Sequence, residues 1–276
     1  MKFRHLFYLL MSAYFITGCN DNSQTDQTDN KVADTPDIRE ENVTYSAGNT
    51  NMNGFVVYQD NKEKRPGVLL VHEWWGLNDY VKRRARQLAQ MGYIALAVDM
   101  FGDGKTAANP DEAGKLAGPF YQDPSLTKTR LDAALAKLKT YDLLDTSRVA
   151  AIGYCFGGFV VLNASRLGAD LKGVVSFHGN VGGVPVRKDL LQAKTLVCHG
   201  EADQFVPPAE LAAFKKSMDS AGAVYSVKVY PDATHAFTNP DATAVGQKFK
   251  IPIAYNAAAD SASWNDMKVF FGDIFR

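Results

Sequence analysis

Short apolar runs alternate with longer amphipathic segments along most of this chain. Continuous apolar runs predict strands that are buried on both faces, and they occur at residues 67–72, 93–98, 148–152, 173–177 and 195–198. Residues 225–230 also have strand character. Segments with helical periodicity lie between or after them, at residues 79–91, 126–141, 208–221 and 261–275. Strands and helices that alternate at this spacing predict an α/β fold with a mostly parallel, doubly wound sheet.

An antiparallel edge precedes this alternating part. Residues 43–45 and 54–58 have strand character, and the turn-forming residues 48–51 separate them. We therefore expect the folded domain to comprise residues 42–276 and to begin near Val43. Residues 99–124 are rich in Gly, Pro and Asp, which is typical of a wall or lid over a pocket.

The N-terminus has a different composition. Lys2 and Arg4 precede an apolar stretch that is too short to span a bilayer comfortably. The stretch closes on Gly18-Cys19, which resembles a bacterial lipobox, so we expect residues 1–18 to be a lipoprotein signal peptide and Cys19 to be lipidated. The alternative is a plain secretory signal in which Cys19 is incidental.

Residues 19–41 are polar and nearly free of large apolar side chains, so they predict a disordered tether. A lipid on Cys19 would place the protein in the bacterial cell envelope. Since Asn20 directly after Cys19 provides no obvious signal for retention in the inner membrane, we expect the periplasmic face of the outer membrane.

Overall composition excludes some partners. The 276 residues are 46% hydrophobic and 22% charged with a formal net charge of zero, which is ordinary for one large globular domain. No basic run or basic helix face stands out, so we expect no nucleic-acid partner. We expect a monomer whose only contact with a membrane is the lipid anchor.

The segment Gly153-Tyr154-Cys155-Phe156-Gly157-Gly158 follows an apolar run and precedes a potential helix. Glycines around one reactive residue favour a sharp strand-to-helix turn, because they remove the Cβ atoms that would clash there. The helix N-terminus favours negative charge on the Cys155 sulfur. Cys155 is thus a candidate nucleophile, although a buried structural cysteine is the alternative.

A thiol nucleophile needs a base, and the base needs an acid that orients it. Asp203 and His235 follow Cys155 in the chain order of the α/β-hydrolase triad, each in a loop after a predicted strand. Glu201 competes with Asp203 for the role of acid. His178 and His199 also follow strands and compete with His235 for the role of base.

Five motifs resemble the dienelactone hydrolase family, and the resemblance covers about residues 43–276. They are the elbow at Cys155, His72-Glu73-Trp74-Trp75-Gly76, the acid loop at Asp203, His235-Ala236-Phe237, and Tyr255-Asn256-Ala257-Ala258-Ala259 with Trp264. The resemblance implies an α/β-hydrolase fold and a carboxylic ester or lactone hydrolase that forms a thioester. Such a hydrolase needs neither a metal nor an organic cofactor.

The resemblance also implies roles for residues outside the triad. Glu73 would contact the resting Cys155 and gate its ionisation. The backbone N–H groups of Trp74 and Phe156 would form the oxyanion hole.

The sequence departs from the family where that family binds the substrate carboxylate. Asp103 and Asn239 occupy the positions nearest to the family's two arginines, and Lys105 could replace one of them. A bidentate carboxylate clamp is therefore not expected. Aromatic side chains predict a largely apolar pocket for a less anionic small-molecule ester or lactone, with Trp75, Tyr121 and Phe237 lining it beside Lys105.

Two other functions remain open from the sequence. One is a non-catalytic envelope lipoprotein that keeps the hydrolase fold and only binds a ligand. The other is a thiol redox protein that pairs Cys155 with Cys198, although no Cys-x-x-Cys motif is present.

Overall fold

A computed structural model of the protein describes residues 37–276. One eight-stranded sheet has the order β1-β2-β4-β3-β5-β6-β7-β8. The strands are β1 (Ile38–Ala47), β2 (Thr50–Gln59), β3 (Arg65–Val71), β4 (Ile94–Val98), β5 (Leu144–Tyr154), β6 (Gly173–Phe177), β7 (Lys194–Gly200) and β8 (Tyr225–Tyr230). The helices are α1 (Asp79–Gln90), α2 (Pro110–Gln122), α3 (Ser125–Leu138), α4 (Phe156–Arg166), α5 (Pro208–Ser220), α6 (Ala242–Phe249) and α7 (Ala257–Ile274).

The pairing of the strands confirms the predicted fold class. β1 pairs with β2 and β2 with β4 in antiparallel fashion, whereas all pairs from β4 to β8 are parallel. The two sheet faces carry separate cores, as a doubly wound sheet requires. Leu70 belongs to the core on one face, which also contains residues of α1 and α7, while its neighbour Leu69 belongs to the core on the other face, which contains residues of α2, α3, α4 and α5.

The first strand begins earlier than the sequence predicts. β1 starts at Ile38, inside the predicted tether and five residues before Val43, and Ile38 pairs with Gln59 of β2. Ion pairs of Arg39 with Asp60 and of Glu40 with Arg86 cover this polar end. The polar composition of the strand concealed it, because an edge strand can be stabilised by backbone pairing and surface contacts instead of burial. Cys19 and the signal peptide lie outside the described residues.

α6 is the other difference from the predicted elements. It spans Ala242–Phe249 between β8 and α7, and only Ala242 and Gly246 within it are buried. An eight-residue helix with so little buried surface has a weak periodic signal. None of the helices within residues 37–276 is long and apolar enough to cross a membrane.

The loops after β7 and β8 are held together by backbone contacts. Ala202 N–H donates to Ala233 O at 2.9 Å, and Glu201 N–H donates to Tyr230 O at 2.9 Å. Gly200 permits this approach, because a Cβ atom there would lie 2.3 Å from Ala233 O. The geometry of both loops therefore depends on a residue without a side chain.

We predict that Gly200→Ala destabilises the protein, because the added methyl group meets backbone atoms that cannot rotate away. The expected loss in free energy of unfolding is about 1–3 kcal/mol, measured by urea denaturation. The matched control is Gly272→Ala on the exposed side of α7, where an added Cβ meets no atom within 4 Å. That change should stabilise the helix by about 0.5–1 kcal/mol, and equal effects of the two substitutions would contradict the prediction.

Candidate active site

Cys155 occupies a strained turn between β5 and α4. Its φ is 54° and its ψ is −114°, a conformation that costs a residue with a side chain about 1–3 kcal/mol. The Cys155 amide donates to Phe177 O at 3.0 Å and to His178 Nδ1 at 3.1 Å. The turn lifts the thiol out of the sheet and into a cavity that Cys155 helps to line.

The glycines of the elbow are required by close backbone contacts. A Cβ atom on Gly153 would lie 2.0 Å from Gly157 O, and one on Gly157 would lie 2.3 Å from Val71 O. A Cβ atom on Gly158 would lie 2.4 Å from the Ser176 hydroxyl oxygen. This agrees with the steric reason on which the sequence prediction of an elbow rests.

Asp203 and His235 come together from the loops after β7 and β8. The distance from His235 Nδ1 to Asp203 Oδ2 is 2.9 Å, and the Asp203 side chain is fully buried. The other carboxylate oxygen of Asp203 accepts the N–H of Phe205 at 2.8 Å. Because Asp203 accepts from Nδ1, the remaining nitrogen of the His235 ring is available to Cys155.

The charges around His235 favour its protonated form. Burial opposes a charge on the ring, but the Cys155 sulfur and the Asp203 carboxylate outweigh it and raise the pKa of His235 to about 10. An imidazolium between two acidic groups is the arrangement that a thiolate nucleophile needs.

None of the three competing side chains is placed to act as the acid or the base. Glu201 is exposed. His199 faces a second cavity, shared with Glu201 and Lys215. The His178 ring is occupied at both nitrogens, by Cys155 N–H and by the Thr238 hydroxyl at 2.7 Å, so it has no free nitrogen for the Cys155 sulfur.

Glu73 lines the same cavity as Cys155 but has a different hydrogen-bond partner from the expected one. Asn239 Nδ2 donates to Glu73 Oε2 at 2.7 Å, and Glu73 is only 2% exposed. Burial raises the pKa of Glu73 to about 7, against the smaller opposing effects of Asn239 and His235. A substantial fraction of Glu73 is therefore protonated at neutral pH.

Two backbone amides beside Cys155 are free to donate. Phe156 is the first residue of α4, and Trp74 lies in the loop after β3. Neither N–H has a hydrogen-bond acceptor among residues 37–276. Free donors near a nucleophile are what an oxyanion hole requires.

The cavity has a volume of about 300 Å³ and is mostly apolar. It contains the predicted pocket residues Trp75 and Tyr121. Its other lining residues are Glu73, Trp74, Gly114, Ala117, Cys155, Asn180, Phe205, Val206, His235, Ala236, Asn239, Ala242, Val245, Ile251 and Ile253. No Lys or Arg of the described part of the chain lines it.

Two residues that the sequence predicts to line the pocket, Lys105 and Phe237, lie outside it. The Lys105 ammonium group lies 3.0 Å from the Asp103 carboxylate at the surface, and about half of each side chain is exposed. Phe237 is fully buried under the site, with its ring centroid 5.1 Å from that of His178. Lys105 pairs with its close neighbour because both side chains leave the same turn, and Phe237 completes the core instead of the cavity.

Several residues that line the cavity were not predicted from the sequence. Phe205 is 45% exposed and its ring centroid lies 4.9 Å from that of His235, so it shields the imidazole from solvent. Asn180 reaches the cavity from the loop after β6, and Val245 reaches it from α6. The place of Asn180 after a strand was a usable signal, whereas Phe205 and Val245 had none.

The second cysteine is separate from the site. Both Cys155 and Cys198 are free thiols. Cys198 is buried in β7, where burial raises its pKa to about 12, and it accepts a hydrogen bond from the Tyr230 hydroxyl at 3.4 Å. The thiol that opens into the cavity is Cys155.

Comparisons with known proteins agree with this fold. Residues 52–275 match a family model described as the dienelactone hydrolase family. The chain is 29% identical to the protein usf of Aquifex pyrophilus, over 75% of this chain and 87% of that protein. It is 31% identical to a candidate carboxymethylenebutenolidase of Methylorubrum extorquens, over 62% of this chain and 63% of that protein. The crystal structure of a dienelactone hydrolase-like promiscuous phosphotriesterase from metagenomic libraries has a TM-score of 0.80 and 33% identity, covering 86% of this chain and 98% of that one.

We predict that Glu73→Gln changes how stability depends on pH. The folded protein holds the Glu73 proton up to a pKa of about 7, whereas the unfolded chain releases it near the ordinary value of 4.5. Stability of the wild type should therefore fall across this window as pH rises, by about 1–3 kcal/mol. The variant should lack this fall.

The measurement is urea denaturation of both proteins between pH 4 and pH 8. Glu201→Gln, in an exposed position of the acid loop, controls for the loss of one carboxylate. Parallel curves for the wild type and Glu73→Gln would show that Glu73 has the same pKa in the folded and unfolded states.

Proposed function

The chain belongs to the dienelactone hydrolase family, and from this membership we propose that it hydrolyses carboxylic esters or lactones with Cys155, His235 and Asp203 as its catalytic triad. The observation that carries the proposal is the hydrogen bond of His235 with buried Asp203 beside a cavity that Cys155 also lines. The free amides of Trp74 and Phe156 support it.

In the proposed first half-reaction, the Cys155 thiolate attacks the substrate carbonyl carbon and forms a C–S bond. The carbonyl electron pair moves to the oxygen, where the N–H groups of Trp74 and Phe156 stabilise the negative charge. As the intermediate collapses, the C–O bond to the alcohol breaks and His235 gives its proton to the departing oxygen. A thioester on Cys155 and a neutral His235 remain.

In the second half-reaction, His235 removes a proton from water and the resulting hydroxide attacks the thioester. The C–S bond breaks, the acid is released, and the thiolate and imidazolium are restored. Asp203 holds Nδ1 throughout, so that His235 always presents its other nitrogen to the reacting atoms. In a lactone, the alcohol formed in the first step stays attached to the acyl chain.

The cavity supports a neutral substrate. It has no Lys or Arg among its lining residues, and the Glu73 carboxyl disfavours a nearby anion whenever it is ionised. An anionic acyl group would lose its hydration without gaining a Lys or Arg partner for its charge. We therefore propose a substrate less anionic than a dienelactone carboxylate, bound largely by Trp75, Tyr121 and the apolar side chains of α6.

Glu73 is proposed to gate the thiol indirectly. In this structure its partner is Asn239 and not Cys155. A protonated Glu73 adds no negative charge next to the thiolate, whereas an ionised one repels it. Glu73 therefore favours the thiolate at the pH values where it remains neutral.

We predict that Cys155→Ala lowers kcat for p-nitrophenyl esters by at least ~10³-fold, because no other nucleophile is available. The matched control is Cys198→Ala, which removes the buried thiol outside the site and should leave kcat unchanged. Acid-quenched mass spectrometry should show one acyl group, on Cys155. Comparable rates in the wild type and Cys155→Ala, or none in either across several acyl chains, would favour an envelope protein that only binds a ligand.

The substrate panel should pair neutral and carboxylate-bearing esters of the same chain length, and neutral esters should have the higher kcat/KM. It should also include a neutral aryl phosphotriester. Phosphotriester hydrolysis is a second candidate activity, because the structural relative at 33% identity is described by that activity and a mostly apolar cavity without Lys or Arg admits a neutral triester. Triester turnover that persists in Cys155→Ala would assign it to another site or to a contaminant.

We also propose that the mature protein is held in the bacterial envelope by a lipid on Cys19. Cys19→Ser should move the protein from the detergent phase to the aqueous phase of a Triton X-114 extraction, and it should abolish labelling by an alkyne fatty acid. The alternative, a plain secretory signal, predicts the same aqueous partitioning with and without Cys19.

A further inference from the structure

His178 is a fully buried histidine that takes no part in the scheme above. It directly follows β6, and its φ is 43°. Tyr154 and Phe177 are paired across β5 and β6, so Cys155 and His178 are the first residues after two paired strand ends. Both residues have positive φ, and one hydrogen bond joins them.

The hydrogen bonds of the His178 ring determine its tautomer. Its Nδ1 lies 3.1 Å from the amide nitrogen of Cys155. A backbone N–H can only donate, so Nδ1 carries no proton. The proton of the neutral ring is then on Nε2, which lies 2.7 Å from the Thr238 hydroxyl oxygen and donates to it.

The Thr238 hydroxyl is itself held by a buried network. It lies 2.7 Å from the Tyr80 hydroxyl. Arg84 donates to the Tyr80 oxygen at 3.4 Å and to the Thr238 carbonyl at 2.8 Å, and it forms an ion pair with Asp260. The chain of contacts thus runs from α1 and α7, through Thr238, to the ring that accepts the Cys155 amide.

We propose that His178 is a positioning residue: as the neutral Nε2–H tautomer fixed by Thr238, it holds the Cys155 amide and so keeps the thiol and the Phe156 amide aimed into the cavity. This inference rests on the proposed role of Cys155 as nucleophile. The amide of Cys155 shares its hydrogen between Phe177 O and His178 Nδ1. Loss of the second acceptor would let the strained turn relax.

The surroundings of His178 keep it neutral. Burial holds the pKa of His178 well below its usual range, and the charges of His235 and Arg84 act in the same direction. The ring centroids of His178 and His235 are only 5.3 Å apart. A second imidazolium at that distance would compete with protonation of His235, so a neutral His178 also protects the charge of the triad.

The test compares variants that keep or remove the acceptor. His178→Asn keeps an oxygen acceptor near Nδ1 and tolerates positive φ, so its kcat should remain within about fivefold of the wild type. His178→Ala removes the acceptor and should lower kcat by about 10–100-fold with little change in KM. Thr238→Val removes the group that fixes the tautomer and should lower kcat about 10-fold.

The matched control is Thr195→Val. Thr195 is a buried threonine of β7 whose hydroxyl has no hydrogen-bond partner among the described residues. Thr195→Val makes the same change in side chain as Thr238→Val, and it should leave kcat unchanged. Thermal unfolding of each full-length variant shows which of them fold. If His178→Ala does not fold, the kcat of Thr238→Val tests the positioning role of His178.

A second measurement needs no substrate. The rate of Cys155 alkylation by iodoacetamide, located by mass spectrometry and followed from pH 5 to pH 10, reports on the exposure and ionisation of the thiol. Thr238→Val and His178→Ala should shift this profile, whereas His178→Asn should follow the wild type. Folded variants with unchanged kcat and unchanged alkylation profiles would overturn the inference and reduce His178 to a packing residue.

The two measurements separate this inference from the proposed function. A wild type that cleaves no ester refutes the hydrolase, but its alkylation profile still reports whether His178 positions the thiol. If the wild type cleaves esters and all four variants match it in kcat and in alkylation profile, only the role of His178 is refuted.

Discussion

The site depends on one strained backbone position, the positive φ of Cys155 at the end of β5. Without that turn, the thiol would stay at the level of the sheet and the Phe156 amide would not be free. The turn persists because the surrounding structure leaves it no alternative. Gly157 brings the backbone of α4 against Val71, and the Cys155 amide is held by the end of β6. A well-packed parallel sheet therefore stores the strain that the site uses.

Burial determines the chemistry of the groups around the thiol. The same loss of hydration that raises the pKa of Glu73 keeps His178 neutral. The pKa of His235 is raised in spite of burial, because Asp203 and Cys155 are close enough to stabilise its positive charge. Three ionisable side chains thus differ in protonation within one small region, each for a reason that can be traced to its contacts. In the proposed mechanism, this separation would let His235 pass its proton to the leaving group while Glu73 and His178 keep their protonation states.

The cavity is built by segments that are far apart in sequence. His235 is held by a bridge to Ile253 and by the Ala254 amide, so the segment before α7 supports the loop after β8. α6 supplies Ala242 and Val245 to the cavity wall. No Lys or Arg of the described structure lines the cavity, and Lys105, the cation that the sequence predicts there, is paired with Asp103 at the surface.

The sequence by itself determined the features that depend on neighbouring residues. Apolar runs placed the strands, glycines placed the elbow, and the order of Cys155, Asp203 and His235 predicted a candidate triad. The structure brings His235 into contact with Asp203 beside a cavity that Cys155 lines. Periodicity and turn sterics act over a few residues, so one sequence is enough to read them. Only the tertiary structure decided the start of β1, the existence of α6, the core position of Phe237 and the contacts of the His178 ring. Each of these depends on which distant segments contact one another, and local sequence patterns do not predict those contacts.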